Sequence, residues 1–179
     1  MNRKALFKVI VAGDGGVGKT TLLKRYIDNT FDLHTKMSIG VEIHQKVVEI
    51  DNEIKCELIL WDLGGQDHFR FLLDRFVDGA SGALLMFDMT RISTLFNLTE
   101  WTSIVRKHDE TLPCLLLGGK LDLLESQPFD EEKALSMQKE INCTHFLKVS
   151  SKTGENVNLA FELLVREILK NKKIDISSN

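Results

Sequence analysis

The chain has 179 residues, and its 23 lysines and arginines against 26 aspartates and glutamates give a formal net charge of −3. A chain of about 100–200 residues forms one domain, with a core large enough to fold without a metal or a disulfide. The balanced charge disfavours a nucleic-acid-binding protein, because such proteins need clustered positive charge.

The cysteines and the apolar stretches indicate the compartment. Cys56, Cys114 and Cys143 include no C-x-x-C pair, which disfavours both a disulfide framework and a zinc site. The start of the chain lacks the features of a signal peptide, and no segment approaches the roughly 20 apolar residues of a membrane span. We therefore expect a cytoplasmic protein.

In chain order, short apolar runs alternate with segments of helical period. The runs predict strands at 5–12, 41–50, 54–61, 82–88, 113–118 and 144–150. A helical segment at 21–28 follows the first run, and helical spacing recurs in two later groups: Leu95, Leu98, Thr102 and Val105, then Val157, Ala160, Phe161, Leu164 and Ile168. This alternation predicts an α/β fold with a mostly parallel sheet, covered on both faces, and an antiparallel hairpin at its edge. Ligands of such sheets bind at the carboxyl ends of the strands.

The segment after the first predicted strand matches the pattern G-x-x-x-x-G-K-[ST] at eight consecutive positions: Gly13, Asp14, Gly15, Gly16, Val17, Gly18, Lys19 and Thr20. A strand before this pattern and a helix after it form the context of a phosphate-binding loop. Backbone N–H groups would surround the phosphates, Lys19 would reach the terminal phosphates, and Thr20 would offer a hydroxyl to Mg²⁺. The alternative is a glycine-rich turn that binds nothing.

A second group of polar and glycine residues ends the third predicted strand. Asp62 at this position suits the holding of Mg²⁺, because carboxyl ends of neighbouring parallel strands meet at one edge. Gly65 has no side chain to keep its N–H away from a terminal phosphate. Gln66 can donate and accept hydrogen bonds at once, so it can orient a water molecule.

These motifs resemble those of the small GTPases of the Ras superfamily, over about residues 6–169. The sequence around Ser38 is most similar to switch I of the Rab branch, whereas Gly64-Gly65-Gln66 is similar to the switch II motif of the Arf branch. The resemblance implies that Ser38 binds Mg²⁺ with Thr20 and Asp62, and that Phe31 packs against guanine. It also implies nucleotide contacts from a further set of residues, which comprises Thr21, Lys120, Asp122, Ser150, Ser151 and Lys152.

The resemblance implies a Ras-like G domain of the P-loop NTPase class, with a six-stranded, mostly parallel sheet, one antiparallel edge strand and about five helices. One domain would span residues 1–179, with a short flexible tail at 171–179. The implied function is a switch that binds GTP or GDP with Mg²⁺ and slowly hydrolyses GTP, with Lys19, Gly65 and Gln66 as catalytic residues. The alternatives are a guanine-nucleotide-binding scaffold with little turnover and a P-loop kinase, although no insertion is long enough for a kinase lid.

Two positions depart from the family pattern. Gly119-Lys120-Leu121-Asp122 stands where the family has Asn-Lys-x-Asp, and Ser38 stands where it has Thr. Loss of one or two hydrogen bonds at Gly119 would cost about 1–3 kcal/mol, or roughly 5- to 150-fold in affinity. We expect guanine preference to persist, with a shorter dwell time of the nucleotide. We also expect Ser38 to leave switch I less ordered with GTP.

The expected partners are activating, exchange and effector proteins that bind a monomeric switch. Phe69, Phe71 and Leu72 are unusually apolar for switch II, and with Ile43, Trp61 and Phe76 they could form an effector surface. They could equally pack in the core. An arginine finger would come from a partner. The chain has Asn2 and no cysteine near residue 179, so no direct lipid anchor is visible in it. Three alternatives stay open: a lipidated tail has been trimmed, the protein works in solution, or a partner recruits it to membranes.

Overall fold

The computed structural model describes residues 4–50, 54–65, 70–126 and 128–173. In this part of the chain the strands are β1 (Lys4–Ala12), β2 (Val41–Ile50), β3 (Ile54–Leu63), β4 (Gly82–Asp88), β5 (Cys114–Gly119) and β6 (His145–Lys148). The α-helices are α1 (Lys19–Asp28), α2 (Arg70–Val77), α3 (Ser93–Phe96), α4 (Leu98–Val105), α5 (Glu131–Glu140) and α6 (Val157–Asn171), and a 3-10 helix spans Leu121–Ser126.

The described strands form one six-stranded sheet in the order β2-β3-β1-β4-β5-β6. Every pair is parallel except β2 with β3. The predicted α/β fold, with its single antiparallel edge strand, is therefore confirmed. Because α3 and α4 follow one another with only Asn97 between them, the helical count also agrees with about five helices.

Helices cover both faces of the sheet and create two apolar cores. On one face, α1 and α6 pack over β1, and the rings of Tyr26 and Phe161 stack with their centroids 3.7 Å apart. On the other face, α2, α4 and α5 pack around Trp101, which is fully buried. β4 is buried at every position, as expected for a central parallel strand covered on both sides.

The element boundaries differ from the sequence prediction in a few places. β3 extends to Leu63, β6 is limited to His145–Lys148, and α1 already begins at Lys19. The periodicity did not predict α5, because only Ala134 and Met137 of that helix are buried. The hairpin turn at 51–53 and most of the predicted tail, from residue 174 onward, lie outside the described residues. No helix in the described part of the chain is long and apolar enough to cross a membrane.

Candidate nucleotide-binding site

The loop between β1 and α1 has the backbone of a phosphate-binding loop. Gly13, Gly16 and Gly18 adopt positive φ angles of 145°, 75° and 109°. At Gly13 a side chain is also excluded by space, since a Cβ would overlap the carbonyl oxygen of Met86 in β4. The glycines therefore allow the loop to lie directly against the sheet and to curl into the N-terminus of α1, where anions bind.

Lys19, the first residue of α1, lies almost fully buried inside this loop. Its Nζ donates to the carbonyl oxygens of Gly13 at 2.7 Å and Asp14 at 2.9 Å. Burial lowers the pKa of Lys19 to about 8, although the charges of Asp62 and Asp14 act in the opposite direction. The loop thus holds a cation whose charge an anionic ligand would stabilise.

Three oxygen-bearing side chains converge beside Lys19. The Thr20 and Ser38 hydroxyl oxygens lie 2.6 Å apart, and each hydroxyl donates to Oδ2 of Asp62, that of Ser38 at 3.3 Å. Asp62 is fully buried, its Oδ1 has no hydrogen-bond partner within the described structure, and burial raises its pKa. Hydroxyl and carboxylate oxygens are the donors that Mg²⁺ prefers, so this set fits a magnesium ion, with the unsatisfied Oδ1 available to a water molecule that the ion carries.

The segment after β3 touches the phosphate loop through glycines. A Cβ at Gly65 would overlap the backbone nitrogen of Gly15, and a Cβ at Gly64 would lie 2.7 Å from the carbonyl oxygen of Gly40. The Gly64 N–H donates to that same oxygen at 2.7 Å. The segments around Gly40 and Gly65 therefore close on the phosphate loop together. Gln66, the predicted water-orienting residue, lies outside the described residues.

A cleft of about 360 Å³ runs from the phosphate loop toward β5 and β6. Most of the predicted nucleotide-binding residues line it: Gly15, Gly16, Val17, Gly18, Lys19, Thr20, Thr21, Phe31, Ser38, Gly65, Lys120, Asp122, Ser151 and Lys152. Gly13, Asp62 and Ser150 are not among the residues that line it. Ser150 donates from its hydroxyl to Oδ1 of Asp122 at 2.7 Å, which fixes the carboxylate.

The Asp14 side chain joins the phosphate loop to neighbouring helices. Its carboxylate accepts from Asn97 Nδ2 at 2.6 Å and from Trp101 Nε1 at 2.9 Å. Asn97 lies between α3 and α4, so Asp14 holds the phosphate loop against these helices, which is compatible with the predicted use of the loop backbone for phosphate binding. Sequence reasoning assigned Asn97 and Trp101 no role.

Sequence reasoning also missed three charged residues around the cleft. Arg25 of α1 donates to the carbonyl oxygens of Ser151 and Lys152, each at 2.6 Å. Asp88 pairs with Lys120 and with Arg91. The position of Asp88 at the carboxyl end of β4 is the one signal that could have identified it, by the same rule that identified Asp62.

Comparison with known proteins agrees with this geometry. The model of the Ras family matches residues 8–170. The chain is 37% identical to the Ras-related protein RABA5d of Arabidopsis thaliana over 93% of its length and 75% of that protein's, and 35% identical to the GTP-binding protein ypt3 of Schizosaccharomyces pombe over 92% and 77%. It is 33% identical to the Ras-related protein Rab-7L1 of Rattus norvegicus over 99% of its length and 89% of that protein's.

The chain belongs to the Ras family. Its Rab-named relatives confirm the predicted resemblance to the Rab branch of these small GTPases. Gly119 stands where the family pattern has asparagine, and Met86 packs against it. A Cβ at Gly119 would overlap Cε of Met86 and would lie 3.2 Å from the carbonyl oxygen of Val17. The Met86 methyl group thus fills the space next to Gly119.

The three residues that resemble the Rab hydrophobic triad lie near one another. Trp61 and Phe76 have ring centroids 5.9 Å apart, and Ile43 is the register partner of Trp61 in the sheet. Ile43 is 56% exposed and Leu72 of α2 is 38% exposed. The side chains of Phe69 and Phe71 lie outside the described residues. Trp61 and Phe76 also pack against the core, as the alternative of core packing predicts, whereas the effector surface stays a prediction.

Proposed function

We propose that the chain is a molecular switch that binds GTP and GDP with Mg²⁺ and slowly hydrolyses GTP. The observation that carries the proposal is the meeting of Thr20, Ser38 and Asp62 beside the buried Lys19. These residues come from α1, from the segment before β2 and from β3, so one ligand at this point would contact three separate parts of the chain. Family membership supports the same function.

The base would bind at the far end of the cleft. The two carboxylate oxygens of Asp122 match the adjacent N–H donors of guanine, and adenine has no such pair. The Ser151 backbone N–H would contact the guanine oxygen, and the Lys120 stem would lie along the base. Phe31 and Lys152, which also line the cleft, would complete the enclosure of the base.

Hydrolysis would proceed by in-line attack of water on the γ-phosphorus of GTP. As the new P–O bond forms, the bond to the oxygen that bridges the β- and γ-phosphates breaks, and the electron pair stays on GDP. Both protons of the attacking water leave on the inorganic phosphate. Lys19 and the backbone N–H groups of the phosphate loop would stabilise the charge that develops on the phosphate oxygens. Gln66 would orient the water molecule, and the Gly65 N–H would contact the γ-phosphate. Thr20, Ser38 and Asp62 would hold Mg²⁺, which would further neutralise the phosphate charge.

Loss of the γ-phosphate would then change the conformation of the surface segments that contact it, switch I and switch II. The segments around Ser38 and Gly65 would contact the γ-phosphate. Ser38 lies beside Thr20 and Asp62, and Gly65 lies against Gly15, which supports the assignment of switch I to about 31–41 and of switch II to about 64–76. Activating, exchange and effector proteins would read these segments together with the surface around Ile43 and Leu72. Peripheral association with membranes, through a partner, is compatible with the Rab-named relatives.

Two measurements test this function. Freshly purified protein is denatured and the released nucleotide is identified and counted by ion-exchange chromatography. Near-stoichiometric guanine nucleotide supports the proposal, whereas adenine nucleotide or an empty site contradicts it.

Single-turnover hydrolysis of pre-bound GTP then separates a switch from a binding scaffold. A switch releases phosphate within hours, and Gln66→Leu retains GTP binding but releases phosphate at least about 10-fold more slowly. Absence of phosphate release from the wild-type protein over the same period would favour the scaffold.

A further inference from the structure

Asp88 is a fully buried carboxylate that the proposed reaction does not use. It ends β4, and both of its oxygens are occupied. Oδ1 accepts from the backbone nitrogen of Thr90 at 2.9 Å and from its hydroxyl at 2.7 Å. Oδ2 accepts from Lys120 Nζ at 2.6 Å and from Arg91 Nε at 3.0 Å. Asp88 thus holds two cations at once, and removal of either partner would leave buried charge less well compensated.

The two cations that Asp88 holds, Lys120 and Arg91, lie toward opposite ends of the cleft. Lys120 belongs to the loop that would bind the base and lines the cleft beside Asp122. Arg91 reaches the other way, and its Nη2 donates to the carbonyl oxygen of Gly15 in the phosphate loop at 3.3 Å. Asp88 and Arg91 therefore form a continuous polar connection between the base loop and the phosphate loop.

The base loop has a specific need for such a connection. The preceding residue, Gly119, has no side chain with which to bond the phosphate loop, and the Met86 methyl group beside it is apolar. Lys120 itself has a positive φ of 66°, which is unfavourable for a residue with a side chain. The bond from Lys120 Nζ to Asp88 fixes this residue in place, because the backbone alone would not favour its conformation.

We infer that Asp88 and Arg91 are positioning residues that tether the base loop to the phosphate loop and set how long a guanine nucleotide stays bound. The inference rests on the proposed function and adds residues to it. Asp88 bonds Lys120 of the base loop and Arg91, and Arg91 in turn bonds Gly15 of the phosphate loop. This chain of contacts would keep the two loops at the distance that one bound nucleotide spans.

The test measures release of a fluorescent GDP analogue, displaced by excess GDP in Mg²⁺, from the wild type and from Asp88→Asn, Arg91→Ala and Arg91→Lys. Asp88→Asn and Arg91→Ala should each release the analogue about 10-fold faster, since each loses a charge-assisted hydrogen bond. The double variant that combines Asp88→Asn with Arg91→Ala should release the analogue no faster than the faster of the two single variants. The reason is that both substitutions break the same chain of contacts.

Arg91→Lys separates a tether from an ordinary ion pair. A lysine can pair with Asp88, but its single ammonium group cannot also reach Gly15 as the guanidinium does. A tether predicts that Arg91→Lys releases the analogue nearly as fast as Arg91→Ala. Release at the wild-type rate by Arg91→Lys would show that only the ion pair matters and would overturn the inference.

Glu131→Gln is the matched control. Glu131 also pairs with a lysine, Lys148 at 2.8 Å, but it joins α5 to β6, lies outside both proposed switch segments and does not line the cleft. It should release the analogue at the wild-type rate, and a tenfold effect there would contradict a specific tether.

Melting temperatures measured in parallel identify variants that fail to fold. If Asp88→Asn does not fold, the two Arg91 variants decide, because the Arg91 side chain is half exposed. A wild-type protein that binds no guanine nucleotide would refute the proposed function, whereas normal wild-type binding with unchanged release from the variants would refute the tether alone.

Discussion

At the scale of single residues, Met86 and Gly119 replace a polar contact by an apolar one. Met86 is 1% exposed, and its methyl group occupies the space into which a side chain at position 119 would project. Methionine adapts well to irregular gaps, which explains how the cleft wall stays closed with a glycine at this position. Gly119 has no side chain with which to bond the phosphate loop, and the expected shorter dwell time of the nucleotide stays a prediction.

The Met86–Gly119 pair predicts that asparagine cannot be restored by one substitution. In Gly119→Asn the new side chain must displace the Met86 methyl group while its Cβ is held 3.2 Å from the Val17 carbonyl oxygen. We expect Gly119→Asn alone to lower the melting temperature and to leave GDP release no slower than in the wild type.

Shortening the methionine should reverse this result. Met86→Val removes the displaced methyl group, so Gly119→Asn placed in that background should slow GDP release about 5-fold or more relative to Met86→Val alone. A double-mutant cycle on the release rates measures the coupling. Equal slowing by Gly119→Asn in both backgrounds would show that Met86 does not restrict the site.

At the scale of elements, the end of α1 is fastened to the loop that would contact guanine. Besides its bonds to Ser151 and Lys152, Arg25 donates through Nη1 to the backbone and side-chain oxygens of Asn29, both at 3.1 Å. Asn29 ends α1 in a left-handed conformation. One guanidinium therefore joins the helix terminus to the Ser151 backbone.

Arg25→Lys should loosen this loop. An ammonium group cannot bond several carbonyl oxygens in the fixed geometry of a guanidinium, so at least one backbone contact is lost. We expect GDP release to be about 10-fold faster. Single-turnover hydrolysis of bound GTP should change little, because Arg25 bonds Ser151, Lys152 and Asn29 and not Lys19 or Asp62. Arg166→Lys, which alters a pair with Glu162 within α6, is the control and should leave release unchanged.

The connection of β4 to the base loop also predicts a dependence of stability on pH. Burial acts to raise the pKa of Asp88, but the hydrogen bonds from Lys120, Thr90 and Arg91 outweigh it and hold this pKa below its ordinary value of 3.8. The unfolded chain therefore binds a proton more readily than the folded one in acid. The stabilisation is present above the ordinary pKa and is lost as the pH falls through the folded value.

We expect the melting temperature of the wild type to fall more steeply below about pH 4 than that of Asp88→Asn, which cannot titrate at this position. Scanning calorimetry of both proteins between pH 3 and pH 6 measures the difference. Parallel curves would show that Asp88 contributes nothing to the acid sensitivity.

The sequence predicts some of these elements much better than others. β1 and β4 were predictable because buried parallel strands are continuous apolar runs. α5 was not, because it buries only Ala134 and Met137, although Asp130 caps it by accepting from the Lys133 backbone nitrogen. That cap, followed by Glu131 and Glu132, is a start signal that periodicity alone does not use.

At the scale of the whole molecule, the alternation of strands and helices sufficed to predict one mostly parallel sheet with its ligand site at the carboxyl ends. The phosphate-loop residues could be identified because their spacing is a backbone requirement. The networks around Asp14, Asp88 and Arg25 could not, because each depends on contacts between residues that are 32 to 127 positions apart in the sequence and meet only in the folded chain.

A nucleotide in the cleft would contact the phosphate loop, the segment around Ser38, β3 and the base loop, so its binding should stabilise the entire domain. A ligand at 1,000 times its Kd adds about 4 kcal/mol to the free energy of unfolding. For a domain of this size each kcal/mol raises the melting temperature by about 2–4 °C, so GDP with Mg²⁺ should raise it by roughly 8–16 °C.

The measurement starts from protein whose nucleotide has been removed with EDTA and phosphatase, and ATP with Mg²⁺ is the matched control. ATP should shift the melting temperature by less than about 2 °C, because Asp122 has no pair of N–H donors to accept from on adenine. An equal shift with ATP would show that the phosphates alone determine binding and that the base loop, with Gly119 in place of asparagine, no longer selects guanine.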